Sequence, residues 1–285
     1  MKKVAIIGAG IMGNQIAMQV AINGYETRCY SRKEATVEKA MKFSKDWFAK
    51  NVTKEKMTQV ESDIVQSRLT FTTDLKKAVD GVDLVIEAVP DVLATKKATL
   101  KEIDKYTPDH TIYASNSSYI VSSLFADSVK HPENVLNVHF FNPVLVMKLV
   151  EVVQGPHVSD ETVEKVFAFA KSINKIPVLV KKEIYGFVVN RIFSAITKEA
   201  CYMLDQGVAS IEDIDIAVKN GLGHPMGPFE LLDMTGIDLE YDVLTEKYRS
   251  TGDLSDKPSP AIVERYARGE YGRKSKKGFY DYSAK

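Results

Sequence analysis

The chain has 285 residues, enough for one large domain and a smaller companion, and its 45% hydrophobic and 27% charged content is that of a soluble globular protein. Its 38 basic and 38 acidic side chains cancel, which removes the electrostatic footprint of a general nucleic-acid binder while leaving room for a local basic pocket. No segment approaches the ~20 apolar residues of a membrane span, and Cys29 and Cys201 belong to no metal or redox motif. A reduced, cytoplasmic protein with neither nucleic acid nor membrane as partner is expected.

The opening MKKVAIIGAG has too short an apolar run for a signal peptide and continues into a glycine pattern. VAIIG (4–8) reads as a buried strand, NQIAMQVAING (14–24) as a helix ended by Gly24, and ETRCYS (26–31) as a second strand. Residues 33–67 form a long charged helical region with a break near Asn51, expected to project as a helical hairpin. Further strands are predicted at 68–72, 83–89, 111–115, 135–141 and 148–153. A helix over 160–173 leads to a last strand at 176–181. Apolar strands alternating with helices imply a mostly parallel sheet covered on both faces.

After Lys182 the texture becomes helical throughout. Residues 186–207 predict a long amphipathic helix closed by Gly207, and 210–221 a second that opens on Ser210 with acids in its first turn. The expected organisation is an α/β domain over 1–184 and an all-helical domain over 185–285.

GAGIMG (8–13) is G-x-G-x-x-G with a strand before it and a helix after it, the context in which the pattern is informative. Gly8 permits the tight turn, Gly10 lets backbone approach a pyrophosphate, and Gly13 lets the helix pack on the sheet. The phosphates then meet free N–H groups at a helix N-terminus. A ligand-free glycine turn is the plain alternative, and the flanking elements argue against it. The second strand ends not in the acid that takes the ribose 2′-OH of NAD but in Ser31, followed by Arg32 and Lys33. A hydroxyl beside two cations suits a 2′-phosphate, so NADP is favoured over NAD. In the competing reading the loop is solvated and Glu34 reaches back to the ribose.

NVHFFNPVLVMKLVEVV (137–153) places one histidine, His139, and one acid, Glu151, in a run otherwise apolar but for Asn137, Asn142 and Lys148. Alone, these read as a core histidine with a backbone partner and an acid at a strand edge. Two adjoining strands joined at Asn142-Pro143 can nonetheless bring them together. Imidazole suits proton transfer because its charge changes near neutral pH, and a carboxylate on its other nitrogen fixes the tautomer and stabilises the imidazolium. His110, His131, His157 and His224 read as loop or turn residues, and no spacing suggests a metal.

GAGIMG followed by NVHFFNPVLVMKLVE resembles the L-3-hydroxyacyl-CoA dehydrogenase family, nearest its bacterial 3-hydroxybutyryl-CoA members. The resemblance continues through VIEAV (85–89), ASNSS (114–118), GFVVNR (186–191), EDIDIAVKNGLGHPMGPFELLD (212–233) and GRKSKKGFYDY (272–282). It implies a Rossmann-like domain, a helical domain that forms a homodimer or higher homo-oligomer, and an acyl-CoA substrate. Position by position, it places His139 on the family's catalytic histidine, Glu151 on its partner acid, Ser118 on the serine at the reacting oxygen and Asn190 on the substrate-site asparagine. Lys50 and Lys54 fall in the region that meets CoA, while Ile11, Met12, Asp91 and Lys96 join the cofactor candidates. By themselves Ser118 reads as a helix cap and Asn190 as a helix-surface amide. Ser31 departs from the family's usual Asp, Asp91 from Glu, Tyr119 from a small or aliphatic residue, Leu145 from proline or alanine, and Tyr185 from proline. The expected reaction is hydride transfer between NAD(P) and 3-hydroxybutyryl-CoA or a related 3-hydroxyacyl-CoA. Competing readings are a dehydrogenase of a free hydroxy acid, of L-gulonate or carnitine type, and a non-catalytic relative.

Overall fold

Val4 and Ile6 pack into one apolar cluster and Ala5 and Ile7 into another, so the first strand is buried on both faces. That burial is why its sequence is an unbroken apolar run rather than an alternation. The structure is a computed structural model and describes residues 1–283. Two compact units divide the chain, Met1–Val188 and Val189 onward.

In the first unit the strands are β1 (Lys3–Ile7), β2 (Glu26–Tyr30), β3 (Leu69–Thr72), β4 (Leu84–Glu87), β5 (Ile112–Ser115), β6 (Val135–Phe140), β7 (Leu149–Val153) and β8 (Ile176–Val180). Among the described residues they form one sheet in the order β3-β2-β1-β4-β5-β6-β7-β8. Every neighbouring pair is parallel except β6 and β7, which are antiparallel. Strand order reverses between β1 and β4, the switch point at which open α/β sheets bind ligands.

Helices α1 (Ile11–Ile22) and α6 (Asp160–Ser172) cover the face carrying Val4 and Ile6. Helices α4 (Leu75–Val79) and α5 (Leu93–Ile103) cover the other. The charged region expected as a hairpin is α2 (Glu34–Thr53) and α3 (Gln59–Arg68). Its break falls after Thr53, where Glu55 turns left-handed at φ 55° and Thr58 opens α3 with a reciprocal Thr58–Glu61 cap. Phe48 and Val65 bury against Met18 and Ala21, so the hairpin is docked on α1.

Helix α5 escaped the pattern reading because its core stripe is Lys96, Leu100 and Ile103, with a lysine at a position where the period demands an apolar residue.

The second unit contains α7 (Val189–Asp205), α8 (Ile211–Leu222), α9 (Pro228–Thr235), α10 (Ile237–Thr251) and α11 (Pro260–Ala267). Helix α7 begins three residues later than the sequence suggests, because Gly186 and Phe187 take left-handed backbone at φ 75° and 48°. Two buried acids organise this unit. Asp215 accepts from the Phe229 and Glu230 amides at 2.9 and 3.0 Å, and Asp233 from those of Phe279 and Tyr280 at 2.8 and 2.9 Å. The motifs GPFELLD and GFYDY are thus accounted for by packing within the helical unit.

A Cβ at Gly13 would lie 1.7 Å from the carbonyl oxygen of Gly8, whereas one at Gly10 meets nothing within 4 Å. Gly13→Ala is therefore expected to cost about 1–3 kcal/mol or more through overpacking, lowering Tm by ~2–4 °C per kcal/mol. Gly10→Ala should shift Tm by no more than about 2 °C, since only helix-cap preference changes. Calorimetry of the two variants separates these outcomes.

Candidate active site

The antiparallel register pairs His139 of β6 directly with Glu151 of β7. Direct partners on adjacent strands project side chains to the same face about 5 Å apart, and here Nδ1 of His139 lies 2.8 Å from Oε2 of Glu151. The two are 4% and 0% exposed, so the contact is shielded from water. A carboxylate only accepts, which puts the imidazole proton on Nδ1 and leaves Nε2 with a lone pair. Nε2 faces the Ser118 hydroxyl at 3.1 Å. The rings of Phe141 and Phe187 lie against the imidazole at 4.5 and 5.7 Å between centroids. The loop joining the strands is tied down by Lys175, whose ammonium donates to the carbonyls of Val144 and Met147. Burial pushes the Lys175 ammonium down to about 8.

Ser118 follows β5 in a loop tied to β6 and to Asp91. Asn116 Oδ1 accepts from the Phe140 amide at 2.9 Å, tying the loop to β6. Ser117 Oγ donates to Asp91 at 2.5 Å, and the Ser118 amide points to the other oxygen of Asp91 at 3.3 Å. Asp91 and Glu87 flank Lys96, whose ammonium is 3.0 Å from each carboxylate. Glu87 also accepts from Ser115 Oγ at 2.7 Å and from the Val89 amide at 2.7 Å. Lys96 is 1% exposed, so its charge is enclosed by these acids and meets its surroundings through Asp91. Sequence reading did not single out Glu87, Ser117 or Lys175. The available signal was a lysine in the core stripe of α5.

At the other end of the loop two of the chain's unusual residues meet. Tyr119 and Tyr185 stack with centroids 4.8 Å apart and planes inclined at 34°. Leu145 instead packs beside the cluster of Met18, Ala21 and Phe48.

The glycine turn precedes α1, whose N-cap, Gly10, supplies no side-chain hydrogen bond. The first-turn amides are therefore available to a ligand, and the space beside Gly10 is open. Ile11 is 75% exposed there and Met12 is half-buried. The Gly8 amide donates to Tyr30 at 2.9 Å, which sets the end of β2 beside the turn. Ser31 follows, half-buried, with Arg32, Lys33 and Glu34 exposed. These residues fit a dinucleotide, with phosphates on the helix terminus and a polar group at the tip of β2.

Lys50 and Lys54 are exposed at the end of α2, and Asn190 is the second residue of α7, in the other unit. His131 meets Glu133 at 3.0 Å, and His157 Nε2 lies 2.9 Å from the Val135 carbonyl of β6. Among the described residues no group of His, Cys, Asp and Glu could hold a metal, and no helix is long and apolar enough to cross a membrane.

Removing one member of a buried ion network strands the others. Lys96→Met is expected to destabilise the fold by about 3–5 kcal/mol, and adding Glu87→Gln should restore part of that loss. Urea denaturation of the single and double variants measures both.

The sequence profile of the 3-hydroxyacyl-CoA dehydrogenase NAD binding domain matches residues 3–184, and that of the family's C-terminal domain matches residues 186–282. A 3-hydroxybutyryl-CoA dehydrogenase of Clostridioides difficile is 38% identical over 281 residues, covering 99% of both chains. The crystal structure of the (S)-3-hydroxybutyryl-CoA dehydrogenase of Ralstonia eutropha superposes with a TM-score of 0.93 at 36% identity, covering 99% of each chain. A diketoreductase acting on dicarbonyl compounds superposes at 0.88 with 28% identity and the same coverage. Matched in both halves and along nearly its whole length, the chain belongs to the 3-hydroxyacyl-CoA dehydrogenase family.

Proposed function

We propose that the protein interconverts 3-hydroxyacyl-CoA and 3-ketoacyl-CoA thioesters, with 3-hydroxybutyryl-CoA and acetoacetyl-CoA as a substrate pair. The observation that carries this reading is the line Ser118 Oγ, His139 Nε2, His139 Nδ1, Glu151, with contacts of 3.1 and 2.8 Å. In the oxidative direction Nε2 accepts the substrate hydroxyl proton while Glu151 stabilises the imidazolium on its far side. A dinucleotide held at the glycine turn would supply the hydride acceptor, or the donor in reverse. Ser118 Oγ donates to the substrate oxygen, and the amide of Asn190 is assigned a substrate contact on the strength of the VVNR motif. In the reductive direction the Nε2 proton passes to the ketone oxygen. Glu87, Asp91 and Lys96 hold the serine loop, and Asp91, the exposed member of the three, is the one placed toward the cofactor in this reading.

Two features support a thioester over a free hydroxy acid. A free carboxylate is favoured by an uncommitted cation, and the buried lysines of the first unit, Lys96 and Lys175, are committed to carboxylates and carbonyls. Exposed Lys50 and Lys54 suit the phosphates of CoA. The relationship to a diketoreductase makes dicarbonyl reduction the second activity to assay, since the dyad acts on the carbonyl and not on the thioester. We also propose that the helical unit mediates homodimer formation, in keeping with its exposed Tyr202, Val208, Leu222 and Leu254.

His139→Ala should keep the fold and cofactor affinity while kcat falls by ~10²–10⁴, the usual contribution of a positioned acid–base group. Glu151→Gln should act in the same direction. Near wild-type kcat for both, with a chemistry-limited substrate, rules out the dyad.

We propose further that NADPH is used with higher kcat/KM than NADH. Ser31 and Arg32 stand where an acid would repel a 2′-phosphate, and each charge-assisted hydrogen bond contributes ~1.5–3 kcal/mol. Arg32 is exposed, which takes the expectation to the lower end, about tenfold discrimination. Ser31→Asp combined with Arg32→Ala should move preference toward NADH. Parallel initial rates with acetoacetyl-CoA and each cofactor decide; a wild-type preference for NADH points instead to Glu34 at the ribose.

A further inference from the structure

Glu151 has two carboxylate oxygens, and His139 uses only one. The other, Oε1, accepts from the backbone amide of Val188 at 3.0 Å. That amide is aimed by an unusual piece of backbone, with Gly186 at φ 75° and Phe187 at φ 48° in succession. Glycine takes the left-handed region freely, but a bulky aromatic residue there brings its Cβ against carbonyl oxygen. Such a conformation persists only when the surroundings over-determine it.

The surroundings do so here. The Phe187 amide closes a turn onto the Ile184 carbonyl at 3.1 Å. Its side chain is 1% exposed and packs with Val153 and Val180, the first of which lies on the same strand as Glu151. The ring stands 5.7 Å from the imidazole of His139 between centroids, inclined at 57°. Phe141 takes another side of the same imidazole at 4.5 Å.

We infer that Gly186, Phe187 and Val188 form a positioning element for the dyad. The left-handed turn presents the Val188 amide to Glu151, fixing the carboxylate about its terminal bond so that Oε2 stays in line with Nδ1. Phe187, facing the imidazole together with Phe141, limits rotation of the ring. The His139 and Val188 donors hold the carboxylate at both oxygens, and Phe141 and Phe187 bound the imidazole on two sides. Misplacement of a catalytic group by about 1 Å can cost on the order of 10²-fold in rate. The inference rests on the proposed role of His139 and Glu151 for its effect on turnover, and on geometry alone for its effect on the histidine.

Two variants test it, each compared with the wild-type holoprotein. Phe187→Leu keeps most of the apolar burial and removes the planar ring. Replacing Val188 by its α-hydroxy analogue turns the amide into an ester, removing the donor and leaving the side chain intact. With only five histidines in the chain, 15N-histidine labelling resolves the Nδ1–H signal of His139, assigned by its loss in His139→Ala. The expected result is faster solvent exchange of the His139 Nδ1–H in both variants, read from its line width, because loss of the Phe187 ring alone moves the position of the signal; kcat falls about 10–100-fold and KM changes less than about threefold. Unchanged exchange overturns the inference whatever the rate, because a purely structural role lowers stability without freeing that proton. Faster exchange with kcat within about twofold of wild type also overturns it. If Phe187→Leu fails to fold, the ester variant decides by the same criteria. Absence of turnover in the wild type refutes the dehydrogenase reading and leaves the signal comparison standing.

Discussion

The antiparallel pairing of β6 with β7 is the constraint on which the site depends. In a sheet whose other neighbours are all parallel, this one reversal lets the chain return beside itself within a short loop. It sets His139 opposite Glu151, and a slip of one residue would send one of the two side chains to the opposite face. Several features converge on holding that register. Lys175 ties the connecting loop by its carbonyls, Asn116 ties the serine loop to the end of β6, and the strand residues are buried along their length.

The second organising feature is a buried ion pair, Lys96 with Glu87, that reaches the surface through Asp91. Lys96 lies between Glu87 and Asp91, and those acids in turn take Ser115, Ser117 and backbone amides as donors. Such an arrangement adds little net stability over an apolar packing of the same volume, because desolvation opposes the Coulombic gain. Its usefulness is directional. Every oxygen and proton in the network has a defined partner, so the loop carrying Ser118 has one geometry. The same logic applies in the helical unit, where Asp215 takes the amides that open α9 and the Tyr280 hydroxyl, and Asp233 takes the amides of Phe279 and Tyr280.

The cofactor candidates and the His139–Glu151 pair occupy different parts of the first unit. The cofactor candidates lie at the carboxyl ends of β1, β2 and β4, beside the switch point of the sheet. Tyr119, which follows Ser118, and Tyr185, two residues before Phe187, pack on each other.

The succession of strands and the glycine turn were legible in the residues themselves, in apolar runs of strand length and in G-x-G-x-x-G between a strand and a helix. That His139 meets Glu151 was not, since the two alone read as a core histidine and a strand-edge acid; the resemblance pointed to the pair and the β6–β7 register brings them together. Helix α5 was not legible, because a lysine occupies its core stripe and only the acids supplied by β4 and the following loop make that placement favourable. Nor was the left-handed turn at Gly186 and Phe187, since GFVVN reads locally as the start of an amphipathic helix. What the sequence determined by itself is whatever depends on period and on residue type. What the tertiary structure decided is which buried charge meets which partner, because that depends on contacts between residues far apart in the chain, and in water neither partner alone favours the arrangement.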